Sequence, residues 1–181
     1  MAGASTDRER LAAYFTRECP LRVHVITLSD RAARGEYEDL GGPRIQERIE
    51  RHLGDAVACS IGREIFPDDA VRLQEALESA RDSGVHVVFT TGGTGLGPRD
   101  IAPDVVLRLA DRTIPGIMEY IRVKYGAEKP VALLSRSVAA VIGPTLVYAV
   151  PGNPRAVDEY LDEILKTLDH LLCVIHDLRP H

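Results

Sequence analysis

Apolar residues follow two rhythms along this chain. Alternating, β-branched Leu21–Leu28 and the runs Ala56–Phe66, Val85–Phe89 and Leu146–Val150, five to eleven residues each, predict strands. Between them the apolar positions stretch to helical spacing. Ile45, Ile49 and Leu53 stand at i, i+4 and i+8, after Pro43 and before Gly54, which predicts a helix with a marked start and stop. Pro67-Asp68-Asp69 introduces a second helix, with Asp68 or Asp69 placed to cap it. Its apolar residues are Val71, Leu73, Ala76, Leu77 and Ala80, and Ser83-Gly84 ends it. Pro103 opens a helix to about Asp111, Pro115-Gly116 breaks the chain, and Ile117–Tyr125 forms another. Ala132–Leu134 and Val138–Ile142 are short apolar runs, and Gly143-Pro144 is a turn. Ala156–Ile175 is a long amphipathic helix. Residues 1 to about 19 read as a leader, with helical character over Arg8–Thr16, packed on the domain or loosely attached to it. Ser29–Gly42, with its glycines and charges, reads as a long loop.

Strands alternating with helices predict βαβ units, hence one α/β domain with a mostly parallel sheet and helices on both faces. The Gly143-Pro144 hairpin makes the sheet mixed at one edge. Residues 1–20 read as an N-terminal extension, 21–175 as the domain and 176–181 as a tail. In such a fold ligands lie beyond the carboxyl ends of the parallel strands. Loops distant in sequence then meet in one crevice: Ser29-Asp30-Arg31, Pro67-Asp68, the segment after Phe89, and Pro151-Gly152-Asn153.

Bulk properties narrow the function. A chain of 181 residues suffices for one domain with a full core. A formal net charge of −5, with no Trp, argues against a general nucleic-acid binder. Cys19, Cys59 and Cys173 are odd in number and lack zinc-ligand spacing, which predicts reduced thiols. The first 18 residues have no apolar signal region, and no apolar run approaches the ~20 residues that span a bilayer. The expectation is a cytoplasmic protein without membrane contact.

The chemistry concentrates in Thr90-Thr91-Gly92-Gly93-Thr94-Gly95-Leu96-Gly97-Pro98-Arg99-Asp100. Four glycines let a backbone turn sharply and bring its N–H groups close to a ligand. Hydroxyls and a guanidinium around those amides suit a phosphate. No Gly-Lys-Ser/Thr follows, so this is not a Walker loop, and Pro98 stands where a dinucleotide fingerprint needs its third glycine. Asp100 beside an anion site reads either as a surface ion pair or cap, or as a metal-facing carboxylate. Asp68 reads either as a helix cap or as a second such carboxylate, since Mg²⁺ takes one or two protein carboxylates beside phosphates. Arg31 pairs with Asp30 or meets a phosphate. The Tyr37-x-Asp39 loop reads as solvated. Ser135-Arg136-Ser137 is an anion contact or a polar edge between strands.

Together these segments resemble the Mog/MoaB-like family of molybdopterin adenylyltransferases, which includes gephyrin G domains. The resemblance rests on Leu28-Ser29-Asp30-Arg31, Gly35-x-Tyr37-x-Asp39, Gly42-Pro43, Pro67-Asp68, Thr91-Gly92-Gly93-Thr94-Gly95, Arg99-Asp100, Pro103-Asp104, Pro115-Gly116, Leu134-Ser135-Arg136-Ser137 and Pro151-Gly152-Asn153-Pro154, in family order. It implies a three-layer αβα fold, a homotrimer, and transfer of AMP from ATP to the terminal phosphate of molybdopterin, with Mg²⁺ assisting and pyrophosphate leaving. A molybdenum insertase is an implied partner. By resemblance, Asp68 and Asp100 are the essential acidic positions and hold the Mg²⁺. Ser29, Asp30, Thr91, Gly92, Gly93, Thr94, Gly95, Arg99, Ser135, Pro151, Gly152 and Asn153 are the substrate-binding positions. The alternative within the family is a molybdopterin-binding scaffold without catalysis.

Overall fold

Six strands form one sheet in the order β2-β1-β3-β6-β5-β4. They are β1 (Leu21–Leu28), β2 (Cys59–Phe66), β3 (Val87–Thr91), β4 (Arg112–Thr113), β5 (Val138–Ile142) and β6 (Thr145–Val150). This computed structural model describes residues 3–178, and residues 179–181 of the expected tail lie outside them. Strands β2, β1, β3 and β6 run parallel, whereas β5 and β4 are antiparallel to their neighbours. The Gly143-Pro144 turn joins β5 to β6, with Gly143 at φ 57°, and so makes the mixed edge.

Side-chain alternation divides the core between the two faces of the sheet. Val23, Val25, Val87, Phe89, Leu146 and Tyr148 point to one face. There they meet α1 (Gly3–Tyr14), α3 (Gly41–Leu53), α6 (Pro115–Gly126) and α7 (Pro154–Ile175). Ile26, Leu28, Val88, Val147 and Ala149 point to the other, against α4 (Ala70–Asp82) and α5 (Ala102–Leu109). The result is three layers. The chain leaves β1 through α3 to reach β2 and returns through α4, on the opposite face, to β3. The strand order therefore reverses between β1 and β3, which opens a crevice at their carboxyl ends.

Several expectations change in detail. Ser29–Gly42 is not wholly loop: Ser29 Oγ accepts the Ala32 amide hydrogen at 3.2 Å and caps a four-residue helix, α2 (Asp30–Ala33). Pro115 and Gly116 do not break the chain but open α6, where proline suits the first turn. Ala132–Leu134 belongs to a 3₁₀ turn, Pro130–Leu134, whose Val131, Leu133 and Leu134 are exposed. The two-residue β4 lacks any apolar alternation, and only its register with β5 defines it. Residues 8–16 do not hang loosely. Leu11 and Phe15 are buried in the main core, and Arg8 pairs with Asp169 of α7 at 2.6 Å. Burying two such side chains contributes about 1.5–3 kcal/mol each.

Candidate active site

The crevice is floored by the loops after β1, β2, β3 and β6. Three adjoining cavities occupy it. The first, of about 390 Å³, is acidic: Asp30, Asp68 and Asp100 line it together with Ser29, Gly93 and Arg99. The second, of about 290 Å³, shares Ser29 and Arg31 with the first and is closed by Tyr37, Thr91, Gly152 and Asn153. The third, of about 550 Å³, is mainly apolar. Leu96, Tyr125, Leu134 and Pro151 line it, with Thr94, Gly95, Ser135 and Asn153 supplying polar atoms.

The helix-start aspartates divide their labour. Asp69 caps α4, its Oδ1 accepting the Val71 amide hydrogen at 2.8 Å and that of Arg72 at 3.1 Å. Asp68 is thereby released to face the acidic cavity. Burial pushes its carboxyl above the ordinary carboxylate range; the charges of Asp30 and Asp100 push the same way, and Arg99 opposes them. Asp30 joins two loops: its Oδ1 accepts the Asp68 amide hydrogen at 3.1 Å, and its Oδ2 accepts from Arg99 Nη1 at 3.3 Å. Asp100 neither caps α5 nor forms a surface pair. Its Oδ2 accepts the Gly97 amide hydrogen at 2.7 Å.

The glycines do more than admit a ligand. A Cβ on Gly95 would lie 2.7 Å from Asp100 Oδ2, and one on Gly97 would lie 3.0 Å from it, so both leave room for that carboxylate. Gly93 adopts φ 61°, in the left-handed region, and lines the acidic cavity. The amides of Gly93, Thr94, Gly95 and Leu96 take part in no hydrogen bond among the described residues. Four successive free donors at the mouth of a strand-to-helix turn make an anion cradle.

Two expected contact residues also brace the crevice. Gly92 lies at φ 102°, where a Cβ would approach the Leu28 carbonyl oxygen to 2.4 Å, and its amide donates to Val150. It lets the ends of β1 and β3 close up. Thr91 is fully buried and its hydroxyl donates to the Pro151 carbonyl at 2.9 Å, tying the glycine loop to the Pro-Gly-Asn loop. Asn153 caps α7 with its Oδ1, which accepts the Arg155 amide hydrogen at 2.9 Å and leaves its NH₂ group for the crevice. Ser135 Oγ sits 2.8 Å from Ser137 Oγ and accepts from Tyr160 at 3.0 Å. Arg136 is not an anion contact: its guanidinium is spent on Asp104 and on loop carbonyls. The Tyr37-x-Asp39 loop is structured, with Asp39 accepting from Thr27 at 2.9 Å and from the Gly42 amide at 3.0 Å, and Arg31 stacked 5.0 Å above the Tyr37 ring.

Tyr125, Tyr160 and Arg155 at the apolar cavity carried no local sign of such a role, since their helices read as ordinary amphipathic segments. Among the described residues no three His, Cys, Asp or Glu side chains form a ready metal cluster. The acidic cavity nonetheless brings together three carboxylates, the oxygen ligands Mg²⁺ prefers, with Arg31 and Arg99 beside them.

Residues 24–170 match the family described as a probable molybdopterin binding domain. The chain belongs to this family. As a molybdopterin-binding domain it has curated relatives: it is 36% identical over 145 residues to the molybdopterin adenylyltransferase of Haemophilus influenzae, an overlap covering 80% of this chain and 73% of that protein. Among solved structures, the molybdopterin biosynthesis enzyme MoaB of Thermus thermophilus superposes with a TM-score of 0.78 at 34% identity, over 88% of this chain and 98% of the other. The tungsten cofactor synthesizing protein MoaB of Pyrococcus furiosus does so with a TM-score of 0.77 at 34% identity, over 86% and 97%. These matches agree with the three-layer, partly mixed sheet.

Proposed function

We propose that this chain is a molybdopterin adenylyltransferase. An oxygen of the terminal phosphate of molybdopterin attacks the α-phosphorus of ATP, the bond between the α- and β-phosphates breaks, and adenylyl-molybdopterin and pyrophosphate result. The observation that carries this reading is the meeting of Asp30, Asp68 and Asp100 in one cavity beside the free amides of the glycine loop. Such an arrangement suits a reaction between two phosphate esters, where positioning and charge neutralisation outweigh covalent help.

The residues divide the work as follows. The amides of Gly93 to Leu96 hold the oxygens of the attacking phosphate, which removes the entropy of bringing two anions together. Arg99 lies at the rim, paired with Asp30, and can transfer its guanidinium to an arriving phosphate. The apolar cavity takes a flat ring and excludes water from it, with Ser135, Thr94 and the Asn153 amide as its polar contacts. Ser29 and Arg31 border the passage between the two smaller cavities. Asp68 and Asp100 are the residues that would hold Mg²⁺. When bound, that ion neutralises charge on the ATP oxygens.

A homotrimer, a cytoplasmic location and an insertase partner complete the proposal. Exposed apolar side chains on α6 and the 3₁₀ turn, Tyr120, Val123, Val131 and Leu133, support association between copies. Sedimentation equilibrium checks the trimer. Incubation of the purified protein with molybdopterin and Mg·ATP tests the reaction: adenylyl-molybdopterin and pyrophosphate should appear in equal amounts, and chelation by EDTA should stop both. Binding of molybdopterin without any product would sink the proposal and leave the scaffold role.

A further inference from the structure

Arg136 follows the 3₁₀ turn at the far end of the crevice, forty residues beyond the glycine loop, yet three of its groups reach back to that loop. Nε donates to the Gly95 carbonyl at 2.8 Å, Nη2 donates to the Asp100 carbonyl, and the Arg136 amide donates to the Thr94 carbonyl at 2.9 Å. Nη1 donates to both carboxylate oxygens of Asp104, in the first turn of α5, at 2.8 and 3.0 Å. The planar guanidinium thus spans the two ends of the loop that carries the free amides, together with the helix that follows it. Each carbonyl it holds turns its peptide plane, and with it the adjoining amide. The Gly95 carbonyl belongs to the same peptide as the Leu96 amide, and the Thr94 carbonyl to the same peptide as the Gly95 amide.

We infer that Arg136 is a positioning residue for adenylyl transfer, holding the Gly95–Asp100 turn so that the loop amides and the Asp100 carboxylate point into the crevice. The inference rests on the proposed adenylyltransferase reading for its kinetic consequence, though not for its structural one. Only arginine offers a rigid fork of this span. A lysine keeps the charge and satisfies one acceptor at a time.

The test uses Arg136→Lys and Arg136→Ala beside wild type. Lysine should leave thermal stability close to wild type while lowering kcat roughly tenfold or more, with KM for ATP changed less than about twofold, because displaced catalytic groups act on the transition state. Added guanidinium ion at millimolar concentration should restore part of the activity of Arg136→Ala and none to wild type. Amide hydrogen exchange in the substrate-free proteins should quicken in both variants at Gly97, Asp100 and Ala102, whose amides close the turn by hydrogen bonds, and stay unchanged in β1 and β6. Wild-type kcat in Arg136→Lys, or unaltered exchange at Gly97, Asp100 and Ala102, overturns the inference. Absence of product from wild type would instead remove the adenylyltransferase reading, and the exchange measurement would still decide the role of Arg136.

Discussion

Asp100 folds back on its own loop: its Oδ2 accepts the Gly97 amide hydrogen at 2.7 Å, in a space that exists because Gly95 has no side chain. The carboxylate is thus oriented before any substrate arrives. An Asn in its place keeps an oxygen for the Gly97 amide and loses the negative charge. Asp100→Asn should therefore fold and bind molybdopterin as wild type does, with kcat reduced roughly a hundredfold. Gly95→Ala should lower kcat as well, since the new methyl group displaces the same carboxylate. Steady-state kinetics with parallel binding titrations check both.

Asp68 should show a stabilising substitution that destroys activity. Its raised carboxyl pKa means that the folded state holds the proton more tightly than the unfolded chain does. Stability attributable to this group therefore falls as pH rises from the ordinary carboxylate range through the raised value, and the ionised group is a net cost at neutral pH. Asp68→Asn should raise Tm at pH 7, have a smaller effect near pH 3, and abolish turnover. Melting curves of both proteins across that range check it; a lower Tm for the variant at pH 7 would contradict it.

At the opposite end of the sheet, His86 makes the fold sensitive to acid. Its ring packs 4.8 Å from that of Phe15 and 5.1 Å from that of His176, and Nδ1 accepts the Arg22 amide hydrogen at 2.9 Å. Burial, with the neighbouring His176 and Arg22 charges adding, lowers its pKa from 6.5 to about 4. Between those values the unfolded chain binds a proton that the folded protein does not, so stability falls as pH drops from about 6.5 to about 4. His86→Asn offers a similar acceptor without titrating, and its Tm should decline less steeply over this window. His24 and His176, whose pKa values burial also lowers, leave a residual slope.

The N-terminal helix should behave as part of the core. Leu11→Ala should cost about 2–5 kcal/mol in urea unfolding, because a fully buried leucine leaves both its transfer energy and a cavity behind. A change below 1 kcal/mol would mean that α1 docks weakly.

Much of this architecture was legible in one dimension. Strands β3 and β6 are buried on both sides and read as short apolar runs, and β1 was legible from its alternation and β-branched residues. The i, i+4, i+8 stripe of Ile45, Ile49 and Leu53 marked the buried face of α3. Local signals served less well where the partner was remote. Nothing within Arg112-Thr113 marks a strand, since its alignment comes from β5, and nothing in Ser135-Arg136-Ser137 shows that the guanidinium turns toward Asp104.

The order of residue types along the chain was enough to set the fold class and the loops that form the crevice, because apolar periodicity and glycine or proline punctuation act over a few residues. Which aspartate caps α4 and which stays free, how Gly92 and Thr91 brace the crevice, and where Arg136 directs its donors were decided only by tertiary structure. Each depends on atoms brought together from distant segments, and hydrogen-bond partners are allotted by distance in space rather than by distance along the chain.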